Sequence, residues 1–311
     1  FGTASSGSDH VDSQYLADHN IHFADAAGCN ARSVAEYIAT VLLLWTEKHS
    51  KDLSTLSCGI IGVGHVGTEV VDILNRIGLQ TKTYDPPREQ RDPNFSSASL
   101  NEVLGCDLLS FHTPLHKESE HPTYHWLNQH RLKDRAFDLI INTARGGVVD
   151  ENALLAAMKK GTVRDTIIDT WEDEPTIHLD TFGAAFLKTP HIAGYSEQAK
   201  RNASKFVADD LISHFELNPP EIGSHNKKIT FDKNPDKYHS LSSLLTELHP
   251  IKSYEQQLTD IVTNNPQKRG KLFNKLRAEF PLRQQFSQIK LTKAYFNQYP
   301  VLKELGFSEI S

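Results

Sequence analysis

An α/β fold built on a doubly wound parallel sheet is what this chain predicts, and three observations predict it. Short apolar runs and amphipathic segments alternate from about residue 58 to residue 191. The first of these runs ends in the glycine-rich Gly62-Val63-Gly64-His65-Val66-Gly67, and the 311 residues, 38% of them hydrophobic, can bury a full core. Repeated strand–helix units form parallel sheets with right-handed crossovers and helices on both faces.

The elements follow in order. Val34, Tyr37, Ile38, Val41, Leu42 and Trp45 recur at helical spacing and predict a long, mostly buried helix, with Ser33-x-x-Glu36 as a candidate capping box. Cys58 to Val63 reads as a short buried strand; Val66, Val70, Ile73, Leu74 and Ile77 mark one face of a helix stopped by Gly78. Strands are then expected at Gln80 to Tyr84, Leu108 to Phe111, Leu139 to Asn142 and Thr166 to Asp169, with a last strand or turn at His191. Between them fall helices near Leu100 to Leu104, around Gln129, at Asn152 to Lys159 and near Phe182 to Leu187. A helix over Ala199 to Leu217 is ended by Asn218-Pro219-Pro220, which begins a linker and a more polar region. Helical stretches are expected there at Leu241 to Leu248, Tyr254 to Val262 and Lys271 to Phe280.

Composition excludes several classes. A formal net charge of -6 argues against general nucleic-acid binding, which needs a basic surface. The region after Leu217 is mildly basic, as a solvated face or a complementary subunit contact would be. Cys29, Cys58 and Cys106 are scattered without CxxC spacing, which fits buried, reduced thiols and neither a disulfide framework nor a metal site. The apolar stretch from Ile38 to Trp45 is too short to cross a bilayer, and no basic-then-apolar leader opens the sequence, so no membrane partner and a cytoplasmic location are expected. The chain starts at Phe1-Gly2-Thr3 and reads as beginning inside a domain, with an N-terminal piece absent.

In the glycine motif, Gly62 permits a tight turn, Gly64 lets backbone approach a pyrophosphate, and Gly67 lets helix and strand pack closely. Asp85 ends the next strand, where a carboxylate accepts from adenosine ribose hydroxyls and repels a 2′-phosphate. This favours NAD over NADP, with Arg88 and Arg91 nearby leaving the choice open; the alternative for Asp85 is a turn residue before Pro86-Pro87. Oxidising a hydroxy acid needs a base for the hydroxyl proton, a hydride acceptor and a cation on the carboxylate. His191 suits the base, Glu174 would fix its tautomer and stabilise its charged form, and Arg145 offers a planar fork for the carboxylate. Each follows a predicted strand on the sheet edge where such folds bind ligands. Taken singly, His191 could be a satisfied strand-end histidine, Glu174 a charge before Pro175 and Arg145 a surface ion pair. Asp169 could accept from a nicotinamide carboxamide, or cap local structure.

The glycine motif together with Asn142 to Asp150, Asp169 to Pro175 and Pro190-His191-Ile192-Ala193-Gly194-Tyr195 resembles the signatures of the D-isomer-specific 2-hydroxy acid dehydrogenases. The resemblance implies a Rossmann-like NAD-binding domain over 29–195. Around it would lie a remnant of a partial flavodoxin-like substrate domain at 1–28, a helix returning to it at 196–217, and a small α+β dimerisation domain at 218–311. It implies Arg145 and Glu174 as catalytic residues, His191 as proton donor or acceptor, and Asp85, Thr113, Asp169 and Gly194 at NAD. It also implies Ser5 and Tyr195 at a phosphorylated hydroxy acid, and a homodimer. From the residues alone, Ser5 reads as a turn hydroxyl and Tyr195 as a core aromatic, and two hydroxyls leave a dianionic phosphate short of cations. The rivals are a dehydrogenase for another D-2-hydroxy acid, such as glycerate or 3-phosphoglycerate, and a non-catalytic NAD-sensing scaffold. Intact Arg145, Glu174 and His191 speak against the scaffold, which has no use for a base.

Overall fold

The computed structural model describes residues 1–219 and 228–310; Pro220 of the expected linker lies outside them. The chain opens with β1 (Gly2–Thr3), α1 (Ser13–Asp18), β2 (Ala24–Asp25) and the long α2 (Ala31–His49). An alternating series follows: β3 (Ser57–Ile61), α3 (His65–Arg76), β4 (Gln80–Tyr84), α4 (Pro86–Arg91), α5 (Leu100–Val103), β5 (Leu108–Phe111) and α6 (Gln129–Leu132). It continues through β6 (Phe137–Asn142), α7 (Glu151–Lys160), β7 (Val163–Ile168), α8 (Leu179–Ala184) and β8 (Leu187–Lys188) to α9 (Glu197–His214). The remainder holds β9 (Ile229–Phe231), α10 (Leu241–Leu248), α11 (Ile251–Asn264), α12 (Arg269–Ala278), β10 (Ile289–Leu291), α13 (Lys293–Gln298), α14 (Val301–Leu305) and β11 (Ser308–Glu309).

Six strands form one sheet in the order β4-β3-β5-β6-β7-β8, parallel throughout. Side chains alternate across it: Ile60, Leu139, Ile141 and Ile167 join the apolar cluster under α2 and α3, while Ile61, Leu109, Ile140 and Ile168 join the opposite one with Leu154 and Phe182. The chain leaves β3 first toward β4 and then returns to β5 on the other side, so the strand order reverses between β3 and β5. Ligands bind in such sheets in the crevice at that reversal, beyond the carboxyl ends of the strands. The glycine turn after β3 and His112-Thr113 after β5 therefore flank the crevice. Among the described residues no helix is long and apolar enough to cross a membrane, and the three cysteines are buried and free.

Two expectations are corrected. Ser33 and Glu36 are not a capping box: α2 is capped three residues earlier, at Asn30, and both side chains are fully buried inside the helix. They serve tertiary pairing instead. Glu36 meets Arg283 Nη1 at 2.6 Å and the Phe286 N–H at 3.0 Å, and Ser33 Oγ lies 2.7 Å from Ser196 Oγ. The helix placed near Phe182 to Leu187 ends at Ala184, because Leu187 and Lys188 extend the sheet beside Ile167 and Ile168. The region after residue 228 is α+β, as expected: beside its helical stretches it holds a parallel sheet in the order β11-β10-β9, whose strands of two or three residues are too short to show a period in the sequence.

Residues after 228 pack on the central layers. Leu244, Leu245, Phe286, Leu302 and Leu305 share the cluster of α2 and α3, whereas Leu258, Val262 and Phe273 join the opposite one. The buried Glu36–Arg283 pair fastens this segment to α2. Arg283→Met would leave the buried Glu36 carboxylate with only Arg32, 3.4 Å away, as a cation, and a loss of about 3 kcal/mol is expected in urea unfolding. Glu36→Gln with Arg283→Met should recover most of it, and a double variant as unstable as the single would refute this role.

Candidate active site

Ile61 ends β3, and Gly62 turns the chain with φ +86°, where a Cβ would stand 2.7 Å from Thr113 Cγ2. A Cβ on Gly67 would stand 2.1 Å from the Gly62 carbonyl oxygen, so this glycine sets the approach of α3 to the strand. Gly64 is the N-cap of α3, has open space where its Cβ would be, and no side chain caps the helix. Uncapped N–H groups and a partial positive charge at a helix start suit a phosphate. The Asp85 carboxylate accepts from the Val63 N–H at 2.7 Å and the Arg88 N–H at 2.9 Å, tying the glycine turn to the end of β4. It also lines a cavity of about 700 Å³ with Gly62, Gly64, Thr113 and Trp126. Arg88 is turned away, onto the Val63 carbonyl at 2.7 Å and Asp92 at 3.2 Å, while Arg91 stands on the cavity wall.

A second cavity, of about 400 Å³, shares Gly64, His112, Thr113 and Pro114 with the first, so one cleft runs past the glycine turn. Arg145, Asp169, His191, Gly194 and Tyr195 line this part. The buried Asp169 follows β7 and accepts from Thr189 Oγ1 at 2.6 Å and from the Ile192 and Ala193 N–H groups at 2.8 and 2.9 Å. Those bonds fold the turn that carries His191, whose φ of +57° is left-handed. Glu174 Oε1 accepts from the Trp171 N–H at 2.9 Å, and Oε2 lies 2.9 Å from His191 Nδ1. A carboxylate on Nδ1 makes that nitrogen the donor and leaves Nε2 for proton exchange. Arg145 donates from Nε to Asp9 at 2.7 Å and from Nη1 to the Ala144 carbonyl at 2.8 Å.

Burial alone would raise the Glu174 carboxyl; the hydrogen bond and charge of His191, the Trp171 N–H and the Arg277 guanidinium outweigh it and hold Glu174 below the ordinary carboxylate range. Burial raises Asp169 against the opposing His191 charge and its three donors. Burial also pushes the His112 imidazole down to about 3, so it stands neutral in the cleft wall. The segment before Glu174 has its own lock: the Glu172 N–H donates to Glu151 Oε1 at 2.7 Å, and His125 Nε2 lies 2.6 Å from Glu172 Oε1. Glu151 is buried, its second oxygen has no hydrogen-bond partner, and burial raises it to about 7.

The structure thus brings Arg145, Glu174, His191, Asp169, Thr113, Gly194 and Tyr195 to one place and sets Gly62, Gly64 and Asp85 along the same cleft. Gly67 sits behind the turn as a packing position. Ser5 is not on the wall: its hydroxyl donates to the Gly7 carbonyl at 2.9 Å, closing its own turn, and Ser6 and Ser8 face the cavity instead. Sequence reasoning assigned no role to His112, Thr143 or Arg277, although all three line the cavity. His112 and Thr113 directly follow the strand expected at Leu108 to Phe111, and Arg277 falls inside the helical stretch expected at Lys271 to Phe280, where no role was read for it. The buried His112 Nδ1 and Thr113 Oγ1 have no hydrogen-bond partner, and with the open approach at Gly64 they fit a dinucleotide that would supply partners.

The family model described as D-isomer specific 2-hydroxyacid dehydrogenase, NAD binding domain, matches residues 31–193. The erythronate-4-phosphate dehydrogenase of Marinobacter nauticus is 34% identical over 300 residues, covering 93% of this chain and 78% of its own. That of Bacteroides fragilis is 36% identical over 289 residues, covering 91% and 79%. The crystal structure of D-lactate dehydrogenase from Aquifex aeolicus, complexed with NAD and lactic acid, aligns with a TM-score of 0.56 at 26% identity, over 69% of this chain and 76% of that one.

The Glu151 lock is pH-sensitive with a definite sign. Its folded pKa lies above the ordinary 4.5, so its contribution is full below that value and is lost as pH rises toward about 7. Glu151→Gln should therefore gain urea stability relative to the parent chain between about pH 5 and about pH 8; an equal difference at both would contradict the assignment.

Proposed function

We propose a substrate for this chain, which belongs to the D-isomer-specific 2-hydroxyacid dehydrogenase family: 4-phosphoerythronate, oxidised at C2 to 2-oxo-3-hydroxy-4-phosphobutanoate on the way to pyridoxal phosphate (vitamin B6). The family assignment makes the chain an NAD-dependent dehydrogenase, and the substrate reading is supported by relatives named erythronate-4-phosphate dehydrogenase over nine-tenths of the chain. The single observation that carries the chemistry is the 2.9 Å pair of His191 Nδ1 and Glu174 Oε2 in a cavity continuous with the glycine turn.

Bound NAD supplies the hydride acceptor. Gly62, Gly64 and the start of α3 would hold its phosphates, with Gly67 letting α3 pack close behind them, Asp85 would hold its ribose, and Thr113, Asp169 and Gly194 its nicotinamide side. His191 Nε2 takes the proton of the 2-hydroxyl as C2 gives up its hydride, and Glu174 stabilises the imidazolium so formed. Arg145 holds the carboxylate beside the reacting carbon and, in the reverse direction, polarises the carbonyl oxygen. Tyr195, which lines the cavity with His191 and Arg145, would meet the substrate there, and Ser5 shapes the turn that presents Ser6 and Ser8. We further place the protein in the cytoplasm, in keeping with its reduced, buried cysteines, and assign subunit pairing to the region after residue 218.

Following NADH absorbance with 4-phosphoerythronate, D-glycerate and 3-phosphoglycerate tests the substrate; the reading expects the highest kcat/KM for the first, and a preference for either other acid overturns it. His191→Ala should lower kcat by at least about 10²-fold while NAD binding stays nearly unchanged. Turnover that survives the substitution would remove His191 as the base.

A further inference from the structure

A second guanidinium faces the catalytic pair. Arg277, in the last turn of α12, lines the same cavity as Arg145, His191 and Tyr195, with its side chain one-third exposed. Its Nη1 lies 3.8 Å from Glu174 Oε2, beyond hydrogen-bond distance, and its buried Nε has no hydrogen-bond partner. The helix that carries it is firmly seated. A Cβ on Gly270 would stand 3.2 Å from Pro175 Cγ, and Leu276 packs with Ile192, Tyr254 and Phe280, so α12 rests on both segments that present Glu174 and His191.

A structural ion pair with Glu174 accounts for this placement poorly. Both Glu174 oxygens already have donors, in Trp171 and His191, and a salt bridge held only at 3.8 Å leaves the fork of Arg277 largely unused. Charge on the wall points elsewhere. Asp9, Asp25 and Asp169 line the cavity, and Asp9 is paired with Arg145, the cation assigned to the substrate carboxylate. An acid with an anion at each end has one further guanidinium on this wall to meet, and Arg277 supplies it.

We propose that Arg277 is a specificity-determining residue, holding the anionic group of the substrate remote from the reacting carbon. The proposal rests on the reading of the site as a 2-hydroxy acid dehydrogenase and names what selects a phosphorylated acid over its unphosphorylated counterpart. The catalytic site then includes a residue from the C-terminal segment.

Calorimetric titration of the chain with NADH bound, using 4-phosphoerythronate and D-erythronate, tests it. The parent chain should bind the phosphorylated acid more tightly. Arg277→Gln should weaken binding of that acid roughly ten- to hundredfold, the loss of one charge-assisted contact, with D-erythronate affinity unchanged. Arg277→Lys should recover part of the loss, since it keeps the charge without the fork. A preference that survives Arg277→Gln overturns the proposal, as does an equal loss for both acids with a shifted pH profile of kcat/KM, which would make Arg277 a positioning residue for Glu174. A parent chain without preference overturns both this proposal and the substrate reading. One that prefers the phosphorylated acid but does not oxidise it overturns the substrate reading alone.

Discussion

The site depends on the carboxylate of Asp169. The register that pairs Ile168 with Lys188 brings Asp169 and Thr189 side by side at the ends of β7 and β8, and the carboxylate then gathers the Thr189 hydroxyl and the N–H groups of Ile192 and Ala193. His191 lies between those donors in a conformation with positive φ, which costs free energy unless neighbouring bonds enforce it. Tyr37 of α2 bonds Thr189 Oγ1, and Trp171 Nε1 donates to the Thr189 carbonyl, so the same corner is fixed from two further sides. The corner so bonded sets His191 Nδ1 2.9 Å from Glu174 Oε2. A buried acid assigned from sequence to the cofactor is thus also the frame of the turn that carries His191.

A second constraint acts from the far end of the chain. The Glu36–Arg283 pair, enclosed between α2 and the segment before β10, fixes where the C-terminal residues leave the core. Six residues earlier lies Arg277, with α12 seated on Pro175 and Ile192 between the two anchors. Burying a charge pair is costly, and removing one partner leaves the other charge short of its partner in the interior, so the pair is satisfied in this arrangement of the two segments. That arrangement holds a cation against the catalytic cavity.

The glycine turn was legible because it closes the buried run of β3, and Arg145, Glu174 and His191 because they follow later strands of one parallel sheet, which sends all such loops to one edge; Asp85 was read from its distance to the glycine turn, since β4 itself is polar. Local spacing misled where tertiary contacts took over. Ser33 and Glu36 have the spacing of a capping box, yet both are buried and paired with residues far away in sequence. Leu187 continues an apolar pattern but is claimed by the sheet. The strands β9, β10 and β11 are too short for any period to show. The helix that carries Arg277 was expected, but its place on the cavity wall was not, because that comes from where α12 is seated in the fold. Ser5 was placed at the substrate by resemblance, whereas its hydroxyl closes a turn and its neighbours Ser6 and Ser8 face the cavity.

The central claim is that Glu174 and His191 act as one unit on the proton of a 2-hydroxy acid. A double-mutant cycle on kcat/KM for 4-phosphoerythronate, with Glu174→Gln, His191→Ala and the two combined, measures it most directly. Residues acting as a unit are non-additive, so the combined variant should be about as slow as His191→Ala alone. Losses that multiply would mean that the carboxylate and the imidazole work independently, and would contradict the account.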